Sequence, residues 1–396
     1  MPQQSQIDFQ RAGFFSVKIA LLAAVVVLSG CSLFSSKPDP NPPAALVDFK
    51  KTLRTETVWT AAVSKPVSAD KTDSFQFNPI YVDNSVFAAV RDGTIVRLDA
   101  RNGKVTWRVN AGTVLTAGVG SDGTVVAVVG EKGLIQAFDG AGKPLWKAQA
   151  PSEVLSSPVV GFGLVVVRSI DNTITAFDAD SGNRRWTVVR PIPTLTLRTA
   201  PGMALDAQTV YVALPGGRLS ALALNNGGSR WEVAVGDPRG TTELERIADV
   251  SGVPALGLRD VCAVAYHGRI ACFDVSNGNV RWGKEFSSNS GLTLDGQYVF
   301  SANDKGEVSQ FSRDTGTTVW SNNKLAYRRL SAPIAVGKAV AVGDYQGYIH
   351  FLSRDDGAIV ARTSTDGSPI LVTPIVAGDA VIFQTQAGTL VALAAE

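Results

Sequence analysis

The sequence predicts an all-β fold: an eight-bladed β-propeller of four-stranded blades, closed by pairing of the N-terminal strand with the C-terminal blade. Three observations predict it. A motif of two glycine turns and a tryptophan recurs along the chain. Glycine and proline are plentiful, 38 and 19 among 396 residues. The apolar runs between turns are short and β-branched, as strands are.

Composition narrows function as well. Lys plus Arg is 37 against 35 Asp plus Glu, a net charge of +2. That balance lacks the basic excess that nucleic-acid binding through phosphates requires. Two histidines exclude a His-rich metal site, and three cysteines cannot supply four thiolates.

Taken in chain order, residues 1–30 read as a lipoprotein signal peptide. Arg11 and Lys18 precede an apolar run over residues 19–28. That run is shorter than the roughly 20 residues a spanning helix needs, and it fits the apolar core of an export signal. Leu28-Ser29-Gly30-Cys31 matches the lipobox of bacterial lipoproteins, which makes Cys31 the expected lipidation site. Ser32 follows it instead of the Asp that resembles an inner-membrane retention signal, so the expected location is the periplasmic face of the outer membrane. Residues 31–54 are expected to form a lipidated, Pro- and Ser-rich tether, and residues 55–396 the propeller.

Within the propeller the repeat reads Gly93, Leu98, Asp99, Gly103, Trp107, and then Gly133, Phe138, Asp139, Gly142, Trp146. It returns at Asn172, Phe177, Asp178, Gly182, Trp186; at Gly217, Gly227, Trp231; at Gly268, Asp274, Gly278, Trp282; and at Gly306, Gly316, Trp320. The first glycine marks a hairpin needing positive φ, and the second a turn into the Trp strand. A seventh copy has Ala361 in the Trp slot, and an eighth begins at Gly388 and stops at Glu396. Trp59 lies in a strand with no copy before it, so residues 57–60 are expected to complete the last blade. Repeats of about 40–45 residues with four strands are propeller blades. The Trp and Ile/Phe positions are therefore blade-to-blade packing.

The Asp-x-x-(Ser/Asn)-Gly-x-x-x-Trp signature (Asp178, Ser181, Gly182, Trp186; Asp274, Asn277, Gly278, Trp282) resembles the pyrroloquinoline-quinone type of repeat, over residues 55–396. Two groups share it: quinoprotein dehydrogenases and the BamB family of lipoproteins in the β-barrel assembly (BAM) machinery. Dehydrogenase resemblance implies a vicinal Cys–Cys pair and a Ca²⁺ site of carboxylate and amide ligands. Here Cys262 and Cys272 are ten residues apart, and the recurring Asp residues hold one turn position. His267 in a hairpin and His350 in a strand read as structural. No catalytic order or phosphate loop is present, so no enzyme, cofactor or metal is expected. A propeller binding a quinone or other small molecule is the alternative reading.

Spacing favours the BamB resemblance. Successive Trp-to-Trp distances after Trp107 are 39, 40, 45, 51 and 38 residues. The two long ones place insertions in adjacent blades, where extra residues usually map to loops on a binding face. The first holds Leu195, Leu197 and Arg198, an L-x-L-R stretch. The second holds Glu243, Glu245, Arg246 and Asp249 in a T-E-L-E-R-I-x-D-V stretch. Both resemble segments by which the family docks the periplasmic (POTRA) domains of BamA, although Ser251 stands where the family usually has a further acidic residue. The resemblance implies a non-enzymatic scaffold that binds BamA and the rest of the BAM complex, and assists insertion of outer-membrane β-barrels. Precursor strands are also expected to add to exposed blade edges. Cys262 and Cys272 flank one hairpin; register decides between a cross-strand disulfide and two buried thiols.

Overall fold

Each short apolar run between glycine turns has two faces to cover and too little length to do so alone, so runs pair into antiparallel sheets that stack on one another. In the computed structural model, which describes residues 39–65, 75–197 and 200–396, eight four-stranded sheets follow in sequence. Residues from 43 on form one compact unit. Seven blades are continuous in the chain, over residues 80–110, 120–149, 159–189, 203–234, 250–285, 292–322 and 334–364. In the eighth, strand Thr55–Ala62 pairs antiparallel with Thr389–Ala395, beyond which lie Ala380–Gln384 and Ile375–Ala377. The ring is thus closed by the two chain ends, as expected.

The second and third strands of each blade are covered on both faces: Val125–Val129 is buried throughout. The fourth strand faces solvent at its edge and alternates, as Val105–Asn110 does. Tryptophan joins the blades. Trp59 Nε1 donates to Ala100 O at 2.8 Å, Trp146 to Ala179 O at 2.8 Å and Trp186 to Leu224 O at 2.9 Å, each acceptor lying one blade on. The second-turn glycine of that next blade sits under the indole. A Cβ at Gly182, where φ is +72°, would come 2.6 Å from Trp146. Both turn glycines are therefore dictated, one by backbone and one by packing. The hairpin position is less strict than the repeat suggests. Asn172 and His267 take the left-handed conformation at φ 57° and 49°, so in the fifth blade His267, not Gly268, carries the positive φ.

The seventh blade lacks its tryptophan, and a different segment covers that seam. The tether expected over residues 31–54 is not free in its second half. Ala44 N donates to Ala326 O, and Arg328 Nη1 to Ala44 O at 2.9 Å. Arg362 Nη2 donates to Val47 O at 3.0 Å and its guanidinium lies over the Phe49 ring at 5.0 Å. Thr52 N reaches Val360 O, and Leu53 is buried in the cluster containing Ala361, Phe351 and Phe383. Residues 44–53 thus form a strap along the outer edge of blade 7, and Leu53 supplies apolar bulk beside Ala361. The first part of the expected tether, with Cys31, and the signal segment lie outside the described residues.

Candidate partner-docking site

The fourth strand of one blade leads to the first strand of the next at one end of the ring. At that end, residues 190–202 and 235–249 are the two long connections that the Trp spacing marked. A single carboxylate ties them. Asp249 Oδ2 accepts from Leu197 N at 2.7 Å and Oδ1 accepts from Gly216 N at 2.9 Å. Asp249 is only 2% exposed. It was expected among the partner-binding residues, and the structure places it inside, between the two connections. Two backbone N–H groups of neighbouring segments need a buried acceptor, and Asp249 is that acceptor.

Glu245 is also engaged internally. Its Oε2 accepts from Thr241 N at 2.8 Å and Thr242 N at 3.1 Å, while Glu245 N donates to Thr242 Oγ1 at 3.3 Å. This is a capping box built on a single turn. The backbone N–H groups and the Thr241 hydroxyl hold the Glu245 carboxyl below its ordinary range. Arg246 donates through Nε to Gly240 O and pairs with Glu243 at 3.3 Å, so it braces the same turn. The turn pushes Leu244 outward, 70% exposed. Leu195 is 41% exposed and Ile192 55%. Leu197 is only half-buried and not an outward anchor: it lines a pocket of about 260 Å³ with Phe77, Arg329 and Leu330. Arg198 lies outside the described residues.

Beneath the first connection is a second cavity, of about 200 Å³. Arg168, the last residue of strand Leu164–Arg168, lines it and is 6% exposed. Its Nη1 donates to Asn172 Oδ1 at 3.2 Å and Nη2 to Pro201 O at 3.3 Å, while Nε has no hydrogen-bond partner. Burial lowers its pKa to about 10, against the opposing pull of Asp249 and Asp171. It stays cationic at neutral pH.

Cys262 and Cys272 stand directly opposite on the two middle strands of blade 5, their Cα atoms 4.0 Å apart, and are joined as a disulfide. His350 is buried in its strand against Asp344, and His267 sits in its hairpin.

A family model described as "Outer membrane protein assembly factor BamB" matches residues 53–114, 91–322 and 305–396. The chain belongs to the BamB family. It is 43% identical to the BamB of Bordetella pertussis over 94% of this chain and 95% of that protein. The BamB of Burkholderia pseudomallei is 41% identical, over 94% and 96%. The crystal structure of BamB from Moraxella catarrhalis superposes with a TM-score of 0.77 at 27% identity, covering 86% of this chain and all (100%) of that one. A europium-containing methanol dehydrogenase shares the fold alone, at 12% identity and a TM-score of 0.66 over 86% and 93%. The pocket beside Leu197 does not suit the Ca²⁺ site that dehydrogenase resemblance implies. Among the described residues lining it there is no carboxylate.

Sequence reasoning missed a third long connection at this end, residues 63–79, part of which lies outside the described residues. The Trp59-to-Trp107 distance of 48 residues carries that signal. It also missed Ile192 and Leu244, which have no motif of their own, and Arg168, whose burial only the fold decides.

Proposed function

We propose that this chain is a non-enzymatic outer-membrane assembly factor, anchored through lipidated Cys31, that docks on the periplasmic domains of BamA within the BAM complex. One observation carries the reading: two connections of a BamB-family propeller are locked together by Asp249 and turn Ile192, Leu195 and Leu244 to solvent at one end of the ring. Apolar side chains on a rigid frame with a charged rim are the ordinary makings of an interface. Arg198 and Glu243 belong to the proposed rim. The rigid ring would hold the BamA domains in one orientation while barrels insert.

The test is co-purification with BamA from detergent-solubilised outer membrane. Leu195→Asp and Leu244→Asp should each weaken BamA recovery at least tenfold without lowering the melting temperature, because neither side chain is part of a blade core. Normal recovery from both variants would sink the docking reading.

A further inference from the structure

Blade 7 carries a chain of polar contacts that runs from its core out to the strap. At the inner end Asp344, fully buried, accepts from Arg328 Nε at 2.8 Å and from His350 Nε2 at 2.9 Å. The other imidazole nitrogen, Nδ1, accepts from Arg362 Nε at 3.3 Å, and the two residues stand directly opposite on paired strands. Arg362 is half-buried and also holds the middle of the strap, through Val47 O and the Phe49 ring. The backbone bonds of the strap lie on either side of that tie, at Ala44 and at Thr52 and Leu53. Val47 and Phe49 themselves are only partly buried, against the cluster of Trp320, Leu330 and Ile359. The middle of the strap therefore depends on Arg362, and the position of Arg362 depends on one lone pair of His350.

We propose that His350 is a proton-operated latch on the strap: a proton on Nδ1 displaces Arg362 and frees Val47–Phe49 from blade 7. Both ring nitrogens are engaged in the latched state, Nε2 as donor and Nδ1 as acceptor. A proton on Nδ1 turns that acceptor into a donor facing the Arg362 N–H and sets two cations side by side. The guanidinium has to leave, and being half-buried it leaves toward solvent. The groups around the imidazole set the acid range. Burial resists its charging, as do Arg362 and Arg328, while Asp344 favours it. The Tyr348 ring lies 6.3 Å away on the same strand, and Asp48 of the strap acts on Arg362. Charging therefore needs a pH below the ordinary 6.5, where Asp344, held below 3.8, keeps its negative charge. Departure of Arg362 removes one opposing cation, so the released state binds the proton more readily and acid shifts the population toward it. Ala44 remains tied to Ala326 and Arg328.

A spin label carried on Lys50→Cys reads the latch in the full mature chain in detergent. Lys50 is exposed beside Phe49, and Cys262 and Cys272 are joined and do not react. The chain without Lys50→Cys, labelled in parallel, gives the background. Between pH 7.5 and 4.5 the mobile fraction of the label should rise at least tenfold while the near-UV signal of the tryptophans is unchanged. Adding His350→Gln should abolish that response and leave one mobility at every pH. Adding Arg362→Gln, which removes the tie itself, should give the mobile spectrum already at pH 7.5. An unchanged label on acidification overturns the proposal, as does an equal response with His350→Gln in place. Release that coincides with loss of the tryptophan signal is unfolding and overturns it too. An immobile label in a folded Arg362→Gln chain shows that Arg362 is not the tie, and the latch fails with it.

Discussion

A buried carboxylate that accepts two backbone N–H groups has few substitutes, and Asp249 ties the two long connections from inside. Asp249→Ala strands the N–H groups of Leu197 and Gly216, each at about 1–3 kcal/mol when buried. A loss of about 2–5 kcal/mol in urea unfolding is expected, against under about 0.5 for exposed Glu243→Gln. Equal midpoints for the two would show that Asp249 is not the tie described here. His350 behaves differently, because its environment opposes charge. Burial keeps its pKa below the ordinary value of 6.5, with Arg362 and Arg328 acting in the same direction and Asp344 opposing them. Nδ1 accepts from Arg362 Nε at 3.3 Å, so Nε2 is the nitrogen that donates to Asp344 Oδ2, at 2.9 Å. The unfolded chain then takes up a proton first as pH falls below about 6.5, and stability drops with it. Asp344 is the opposite kind of group. Burial raises its pKa, but the His350 bond, the Tyr348 N–H and Arg328 more than offset this, and its stabilisation is lost only below the ordinary 3.8. Melting temperature should therefore fall between pH 7.5 and 5.5, and fall less in His350→Gln; parallel slopes would contradict a neutral buried imidazole.

At the scale of the blade, tryptophan and glycine act across the seam between neighbours. Trp186→Ala should cost about 3–5 kcal/mol through the cavity it leaves. Gly182→Ala should also destabilise, because Trp146 occupies the space and the backbone is left-handed. Leu53→Ala should cost about 2–5 kcal/mol although it lies outside every repeat; a neutral result by thermal melt would mean the strap contributes nothing to the seventh seam. The cross-strand pair in blade 5 is checked by thiol counting on denatured, unreduced protein, where Cys262 and Cys272 should contribute no free thiol. These comparisons also mark what was legible. Turn glycines and tryptophans repeat because each blade meets the same packing problem, so eight blades and their closure could be read in the chain. The strap could not, because Val47, Phe49 and Leu53 form no repeat and face a surface that exists only once the ring closes. Spacing locates the loop that holds Asp249 and Glu245 but does not say which of its carboxylates turns inward.

The whole molecule combines a rigid ring with a strapped N-terminal segment, and the strap alters the mechanics of the proposed anchor. A chain free up to residue 55 would put 24 residues between Cys31 and the ring, about 80 Å at full stretch. With Ala44 bonded to Ala326 and Arg328, only 13 remain. Their limit at full stretch is about 45 Å. Ala326 belongs to the connection between blades 6 and 7, at the same end of the ring as residues 190–202 and 235–249. The leash would thus be short and attached at the proposed docking end, which would raise the effective concentration of that end for a partner held in the same membrane. Inserting about twenty Gly and Ser residues between Asn41 and Pro42 lengthens the leash and leaves every strap contact in place. Membrane retention should be unchanged while BamA recovery at low expression falls; undiminished recovery would show that the ring finds its partner without help from the leash.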